Sequence, residues 1–206
     1  MSSVSVLRRT AAPAPPVWST HPVGDPARAP VEDFIRAVYA KRFGADLMHF
    51  APTLVSLRDD RRVVAAAGYR GAGTGPLFLE AYLQAPIEQV LAASGSTALV
   101  RAHVVEVGHL AAVRAGEGLR LMKMLGVHLS SLGFRWVVCT LTEELHHLFG
   151  RLGVATTVLG RAEPAALGED ALHWGRYYDH RPTVLAGYLP RALQQLARRD
   201  ASASAA

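Results

Sequence analysis

Residues 104–112 read VVEVGHLAA and run on into VRAGEGLRLMKMLGVHLSSLG at 113–133. Val104, Val105, Val107, Leu110 and Ala111 make the first stretch an apolar, β-branched run of the kind that fills the middle of a sheet. In the second, Leu121, Met122, Leu125, Leu129 and Leu132 recur at helical spacing before Gly133 stops them. The pair predicts a buried strand over 99–112, a glycine-spaced turn, and an amphipathic helix over 117–132. Glu106 and His109 stand out against that background, because burying a polar or charged group costs free energy unless it is paired. A strand alternates its side chains, so Glu106 shares a face with Val104 and Gly108 while His109 falls on the other, unless a bulge intervenes.

Working outward, VEDFIRAVYAKRFG (31–44) sets Phe34, Ile35, Val38 and Tyr39 on one helical face and ends at Gly44, a C-cap residue. APTLVSLRDDRRVVAAAGYRGA (51–72) reads as two strands with Arg58 to Arg61 as the turn. Pro86 opens a helix, PIEQVLAAS. After the central helix, FRWVVCTLT (134–142) is a nearly continuous buried strand and EELHHLFGRLG (143–153) a second helix. Its face carries Leu145, Leu148, Phe149 and Leu152, and Thr140 with Glu143 fits a capping box. VATTVLG and PTVLAGYL close the set as strands. Strand and helix alternate here, which implies an α/β fold with a parallel pair at its centre, helical cover, and antiparallel flanks. No internal repeat is present.

A chain of 206 residues, half of them hydrophobic and 19% charged, suits one globular domain. We expect a flexible Ala/Pro-rich segment over 1–30, the domain over 31–200, and a disordered tail, ASASAA, over 201–206. No apolar run approaches the roughly 18 residues of a membrane helix. The opening residues lack the apolar block of a signal peptide, and the single Cys139 has no disulfide partner. These features point to a cytoplasmic protein that is not integral to a membrane. The net charge of +5 suits an anionic partner, but the basic residues are scattered and no nucleic-acid motif accompanies them, which argues against nucleic acid.

Several residues bear chemistry. VRAGEG joins strand to helix, so free backbone N–H groups near Gly116, Glu117 and Gly118 face whatever sits over the helix start, with Arg114, Arg120 and Lys123 nearby; such a turn binds phosphate, or is simply a tight turn. Glu106 is either a general base or a structural strut paired with Arg70 or Arg101. Glu80, Tyr82 and Glu88, between the hairpin and the central strand, are candidates for an acceptor wall, Glu80 equally for a capping acid and Tyr82 for a core aromatic. Tyr177 and Tyr178 are candidate proton donors, or a packed aromatic pair. Mid-strand Cys139 reads as an inert core residue. His128, His146 and His147 lack metal-ligand spacing, so no metal is expected.

This order of elements around a glycine loop resembles the GNAT-type N-acyltransferases. In that family a central strand splays from its parallel neighbour, acyl-CoA lies in the gap, and a Q/R-x-x-G-x-G/A loop holds the pyrophosphate. Here Val113-Arg114-Ala115-Gly116-Glu117-Gly118 keeps both glycines but has Val113 at the first position. HHLFGRLGV resembles the family's segment for the general acid, yet Phe149 stands where many members carry tyrosine, and a phenyl ring donates no proton. A longer likeness spans residues 35–190: VYAKRFGADLMHFAPTLVSLRD, AAAGYR, LFLEAYLQAPIEQVL, VVEVGHLAA, GFRWVVCTLTEELHHLFGRLG and WGRYYDHRPTVLAGYL together resemble the thermostable hemolysin family. His109 departs from that family's asparagine in EVGNLA.

The resemblance implies a GNAT-like fold akin to acyl-homoserine-lactone synthases, with a mixed sheet of six to seven strands, and a bulge in the central strand. It implies an acyltransferase moving an acyl group, fatty acyl included, from acyl-CoA or acyl carrier protein to a small-molecule amine. Leu110 and Ala111 then face the thioester, residues Arg114, Ala115, Gly116, Glu117, Gly118 and Leu119 hold donor phosphates, and Glu106 with Tyr177 or Tyr178 moves protons. Glu80, Tyr82, Glu88 and His109 contact the acceptor. The rival implied by the family's name is a toxin acting directly on lipid bilayers.

Overall fold

Residues 16–60, 62–95 and 99–204 are described by a computed structural model. They build a single seven-stranded sheet in the order β1-β2-β3-β4-β5-β7-β6. β1 (Val17–Pro22), β2 (Thr53–Asp59), β3 (Arg62–Gly71) and β4 (Val104–Ala112) form an antiparallel half. β5 (Trp136–Leu141), β7 (Thr183–Tyr188) and β6 (Thr157–Arg161) form the other half. The halves meet at β4 and β5, the one parallel pair among the described residues.

Helix α1 (Ala29–Phe43) buries Val31, Ile35, Tyr39 and Phe43 at four-residue spacing against Leu54, Ala66 and Ala111. It ends at Gly44, whose φ of 66° is the left-handed conformation expected there. On the opposite face α4 (Ala115–Ser131) lays Leu121, Leu125 and Leu129 over Val55, Ala65, Val105 and Val107. The short α2 (Glu80–Leu83) and α3 (Ile87–Ala93) share α1's side of the sheet, where Leu79, Ile87 and Leu91 pack on Val104 and Val138. Each fully buried leucine or isoleucine contributes about 2 to 3 kcal/mol of transfer free energy, so these clusters hold the layers together.

Some expectations need correction. Residues 17–22 are not flexible: they pair with β2 along its whole length, and the domain begins before position 31. Residues 1–15 lie outside those described. At the other end α6 (Leu189–Ser204) takes in most of the expected tail, leaving 205–206 outside. Arg58 belongs to β2 rather than to the hairpin turn. Thr140 lies within β5, and α5 (Glu143–Arg151) is entered from Thr142 with no side-chain cap, so the capping box does not form. Leu132 is 52% exposed, because α4 has ended before it can turn inward.

Candidate active site

β4 and β5 pair only from Val104↔Trp136 to Val107↔Cys139. Beyond that point β4 continues to Ala112 against β3, and β5 to Leu141 against β7, so the two central strands part. An irregularity in β4 coincides with the parting. Ala66 pairs with Ala111 and Gly68 with Gly108, which leaves His109 and Leu110 opposite Ala67 alone. This is a β-bulge, and His109 absorbs it at φ 54°. The bulge breaks the alternation, so Glu106 and His109 both line the same cavity of about 270 Å³.

Glu106 stands at the inner edge of that cavity. Its Oε2 accepts the N–H of Phe78 at 2.8 Å and its Oε1 the N–H of Leu79 at 3.0 Å, the turn that leads into α2. The strut pairing with Arg70 or Arg101 is not what the fold uses. Arg70 lies directly across the ladder from Glu106, but its one side-chain hydrogen bond among the described residues goes to the carbonyl of Pro76 at 3.2 Å. Arg101 is taken by Glu80 at 2.6 Å and Glu88 at 2.5 Å. Burial pushes the Glu106 carboxyl above the usual range, and the two amides and Arg70 offset that only in part.

Glu80 and Glu88 are therefore both engaged by Arg101, and neither is among the residues lining the cavity. Glu80 also accepts the N–H groups of Leu77 and Ile87, fastening both ends of α2. Burial alone would raise its carboxyl, but Arg101 and those amides outweigh it and hold it below its ordinary value. Tyr82 does line the cavity, and its hydroxyl meets that of Tyr178 at 2.9 Å. Tyr177 also lines it and donates to the carbonyl of Thr140 on β5 at 3.2 Å. Burial raises the pKa of all three phenols, so each keeps its proton at neutral pH. It likewise pushes the Cys139 thiol up to about 12, which leaves no thiolate to react.

His109 donates from Nε2 to the carbonyl of His49 at 3.2 Å, which leaves Nδ1 unprotonated, enclosed and without a partner. Burial holds its pKa down to about 4. His49 belongs to the segment between α1 and β2, and with Met48, Phe50 and Ala51 it forms a cavity wall that sequence periodicity does not reveal. Arg28 anchors that wall through the carbonyls of Ala51 and Pro52. The facing wall comes from residues 170–174, where Trp174 packs on Phe78 and Tyr39. Its nearness to Tyr177 in HWGRYY was the available signal. The two walls are tied by backbone bonds from Asp46 N–H to His173 and from Arg176 N–H to Phe43, both 2.7 Å. That approach requires Gly175, since a Cβ there would lie 2.5 Å from the Phe43 oxygen.

The glycine loop is the start of α4 itself. Glu117 and Gly118 donate back to the carbonyl of Arg114, so the N–H groups of Ala115 and Gly116 are the ones left pointing outward. Arg114, Ala115 and Gly116 are exposed, while Leu110, Gly118 and Leu119 are partly covered and Ala111 is buried. The Oε2 of Glu117 is enclosed without a partner.

A second polar cluster has the outline of a hydrolase triad. Ser56 meets His21 Nε2 at 2.9 Å, and His21 Nδ1 meets Asp25 at 2.8 Å. Ser56 is 0% exposed, so no substrate reaches it, and the cluster ties β1 to β2. Among the described residues no helix is long and apolar enough to cross a membrane.

Three solved structures share this fold over most of their length. The apo form of TofI covers 88% of this chain and 96% of its own, with 18% identity and a TM-score of 0.62. The acyl-homoserine-lactone synthase LasI covers 86% and 91%, with 14% identity and a TM-score of 0.58. FeeM, an N-acyl amino acid synthase from uncultured soil microbes, covers 87% and 94%, with 16% identity and a TM-score of 0.58. No curated protein sequence matches the chain. The family model described as thermostable hemolysin matches residues 21–193, from the buried histidine of β1 into α6. A match of that extent includes every strand that forms the gap and every wall of the cavity, and the chain belongs to the thermostable hemolysin family, built on the GNAT-like fold.

Proposed function

We propose that the protein is an N-acyltransferase that moves an acyl group from a thioester, on CoA or acyl carrier protein, to a small amine. The observation that carries this reading is the parting of β4 and β5 beside a cavity whose inner edge is Glu106. Two strands that separate leave backbone groups on their facing edges, and an extended pantetheine arm can satisfy them in place of a neighbouring strand. The N–H groups of Ala115 and Gly116, with Arg114 and Arg120, then receive the donor's phosphates at the positive end of α4.

In this reading the amine sits in the cavity and attacks the thioester carbonyl. A backbone N–H near Leu110 or Ala111 stabilises the oxyanion. Glu106 takes the proton released by the amine, directly or through a water, and its raised pKa suits that task. The C–S bond breaks and the thiolate is protonated by Tyr177, whose hydroxyl lies against β5 at the gap, or by Tyr178 through Tyr82. The solved relatives support the fold on which this chemistry is proposed.

The test is to incubate the protein with acyl-CoAs of graded chain length, and with acyl carrier protein, in the presence of a mixed amine pool. Free thiol is followed by absorbance and products by mass spectrometry. Thiol release matched by an N-acylated product is expected. Absence of both with either donor class would overturn the reading.

A further inference from the structure

Arg70 and Glu106 are cross-strand partners on the cavity face, so their side chains rise side by side from the floor of the site. Opposite charges placed so would ordinarily close into a salt bridge. These do not: no carboxylate of the described residues lies within ion-pair distance of Arg70, and Glu106 is turned onto the amides of Phe78 and Leu79. The guanidinium keeps one hydrogen bond, to the Pro76 carbonyl. An arginine carries five donors, and its fork matches a carboxylate in two parallel bonds. Lining a cavity with most of its donors unused by the described residues, this cation is open to an anion that enters there.

Resting on the N-acyltransferase reading, we infer that the acceptor is an α-amino acid, its carboxylate bound by Arg70 and its amine directed at Glu106. The two groups of an α-amino acid are separated by a single carbon, which suits two side chains set side by side on neighbouring strands. The rest of the cavity suits the remainder of the substrate. Phe50, Phe78 and Trp174 offer apolar aromatic surface, and the small volume takes one amino-acid side chain rather than a peptide. The bond changes balance: nitrogen bonds to the acyl carbon, the carbon–sulfur bond breaks, one amine proton passes to Glu106, and the thiolate leaves. The product is an N-acyl amino acid with a free carboxylate.

The experiment compares L-leucine, L-phenylalanine and L-tyrosine with their decarboxylated partners isopentylamine, phenethylamine and tyramine, at a fixed acyl donor, in wild type, Arg70→Gln and Arg70→Lys. Wild type should prefer each amino acid over its amine by about 10- to 100-fold in kcat/KM, the range of hydrogen bonds to a charged group. Arg70→Gln should erase that preference, which is read as the ratio of amino acid to amine within each variant because Arg70 also lies beside Glu106 and its loss moves the rate in both arms, and Arg70→Lys should restore part of it. Melting curves of both variants should lie close to the wild type, since the Pro76 contact is the one hydrogen bond lost among the described residues. Transfer to amines equal to that for amino acids, or a preference that survives Arg70→Gln, would overturn the inference and leave acyl transfer standing. Failure to transfer to any acceptor would instead refute the acyltransferase reading beneath it.

Discussion

Glu106→Gln separates the contact the structure shows for this side chain, its hold on the turn before α2, from the proton transfer proposed for it. As a carboxylate, Glu106 offers one oxygen to Phe78 N–H and the other to Leu79 N–H. A glutamine keeps one acceptor and turns an NH₂ toward the second amide, so one charge-assisted bond is lost and two donors face each other. A bond to a charged group is worth about 1.5 to 3 kcal/mol. For a chain of this size that corresponds to a fall in Tm of roughly 3 to 12 °C. If Glu106 also receives the amine proton, turnover should fall by about 10² to 10⁴, well beyond what a folded fraction near unity explains.

The control is Glu80→Gln, which loosens the same α2 turn from its other side by weakening the bonds to Leu77, Ile87 and Arg101. It should cost about 2 to 4 kcal/mol while leaving the Glu106 carboxyl in place, with only the smaller effect of the Glu80 charge on it removed. Melting curves and turnover are measured on both. Equal losses of turnover in the two variants would show that Glu106 serves only to hold the turn, and a stable, fully active Glu106→Gln would refute both roles. The pH dependence gives a further check. A carboxyl whose folded pKa is raised contributes stability that is present below its unfolded pKa and lost as pH rises through the folded value. Glutamine does not titrate, so the stability gap between wild type and Glu106→Gln should narrow as pH rises from about 4.5.

Three other outcomes are expected. A Cβ at Gly116 meets nothing within 4 Å, so Gly116→Asp should fold normally, the acid even favouring the helix start, while calorimetry shows acyl-CoA binding weakened about tenfold or more by repulsion; unchanged affinity would remove the loop from the site. His109, held near 4, takes up its proton later than in the unfolded chain, so stability should drop by up to about 3 kcal/mol between pH 6.5 and 4. His109→Asn, which tolerates the left-handed backbone, should flatten that part of the Tm-against-pH curve, and an unchanged slope would refute the assignment. Protein without substrates should release no dye from liposomes, because the buried faces of α1 and α4 are committed to the sheet; dose-dependent leakage at sub-micromolar protein would favour direct membrane action.

The elements legible in the sequence were those whose apolar residues repeat. The spacing of Phe34, Ile35, Val38 and Tyr39 and the leucines of α4 announce helices because each must bury one stripe, although the fully buried row of α1 runs through Val31, Ile35, Tyr39 and Phe43. The run around Val138 announces a strand covered on both faces. β1 was missed because VWSTHP is an edge strand with a polar buried face, and its binding to β2 depends on His21 finding Ser56 far along the chain. α2 is too short to show a period. In the site, Glu106 and His109 were visible as misfits in an apolar strand. Arg70 was weighed only as a strut and His49 not at all, because the role of each is set by which loop folds over it. The partner of Glu106 was unpredictable for the same reason: backbone amides leave no trace in residue identity.

One substitution-sensitive contact links these observations. Gly68 and Gly108 face each other in the ladder beside the bulge. A Cβ at Gly68 would lie 2.7 Å from the Ala51 Cβ and 3.3 Å from His109 Nδ1. The segment carrying Ala51 can thus lie against β3 only because residue 68 has no side chain, and that contact brings the His49 carbonyl over the bulged His109. The bulge in turn sets Leu110 opposite the wrong residue for regular pairing, while β5 continues with β7 through Thr140 and Leu141. The gap between β4 and β5 and the cavity next to it are therefore one construction: the irregular backbone that turns β4 away from β5 is held by the wall that closes the cavity. A strand without the extra residue would keep its regular alternation, and His109 would fall on the face opposite Glu106 instead of lining the same cavity.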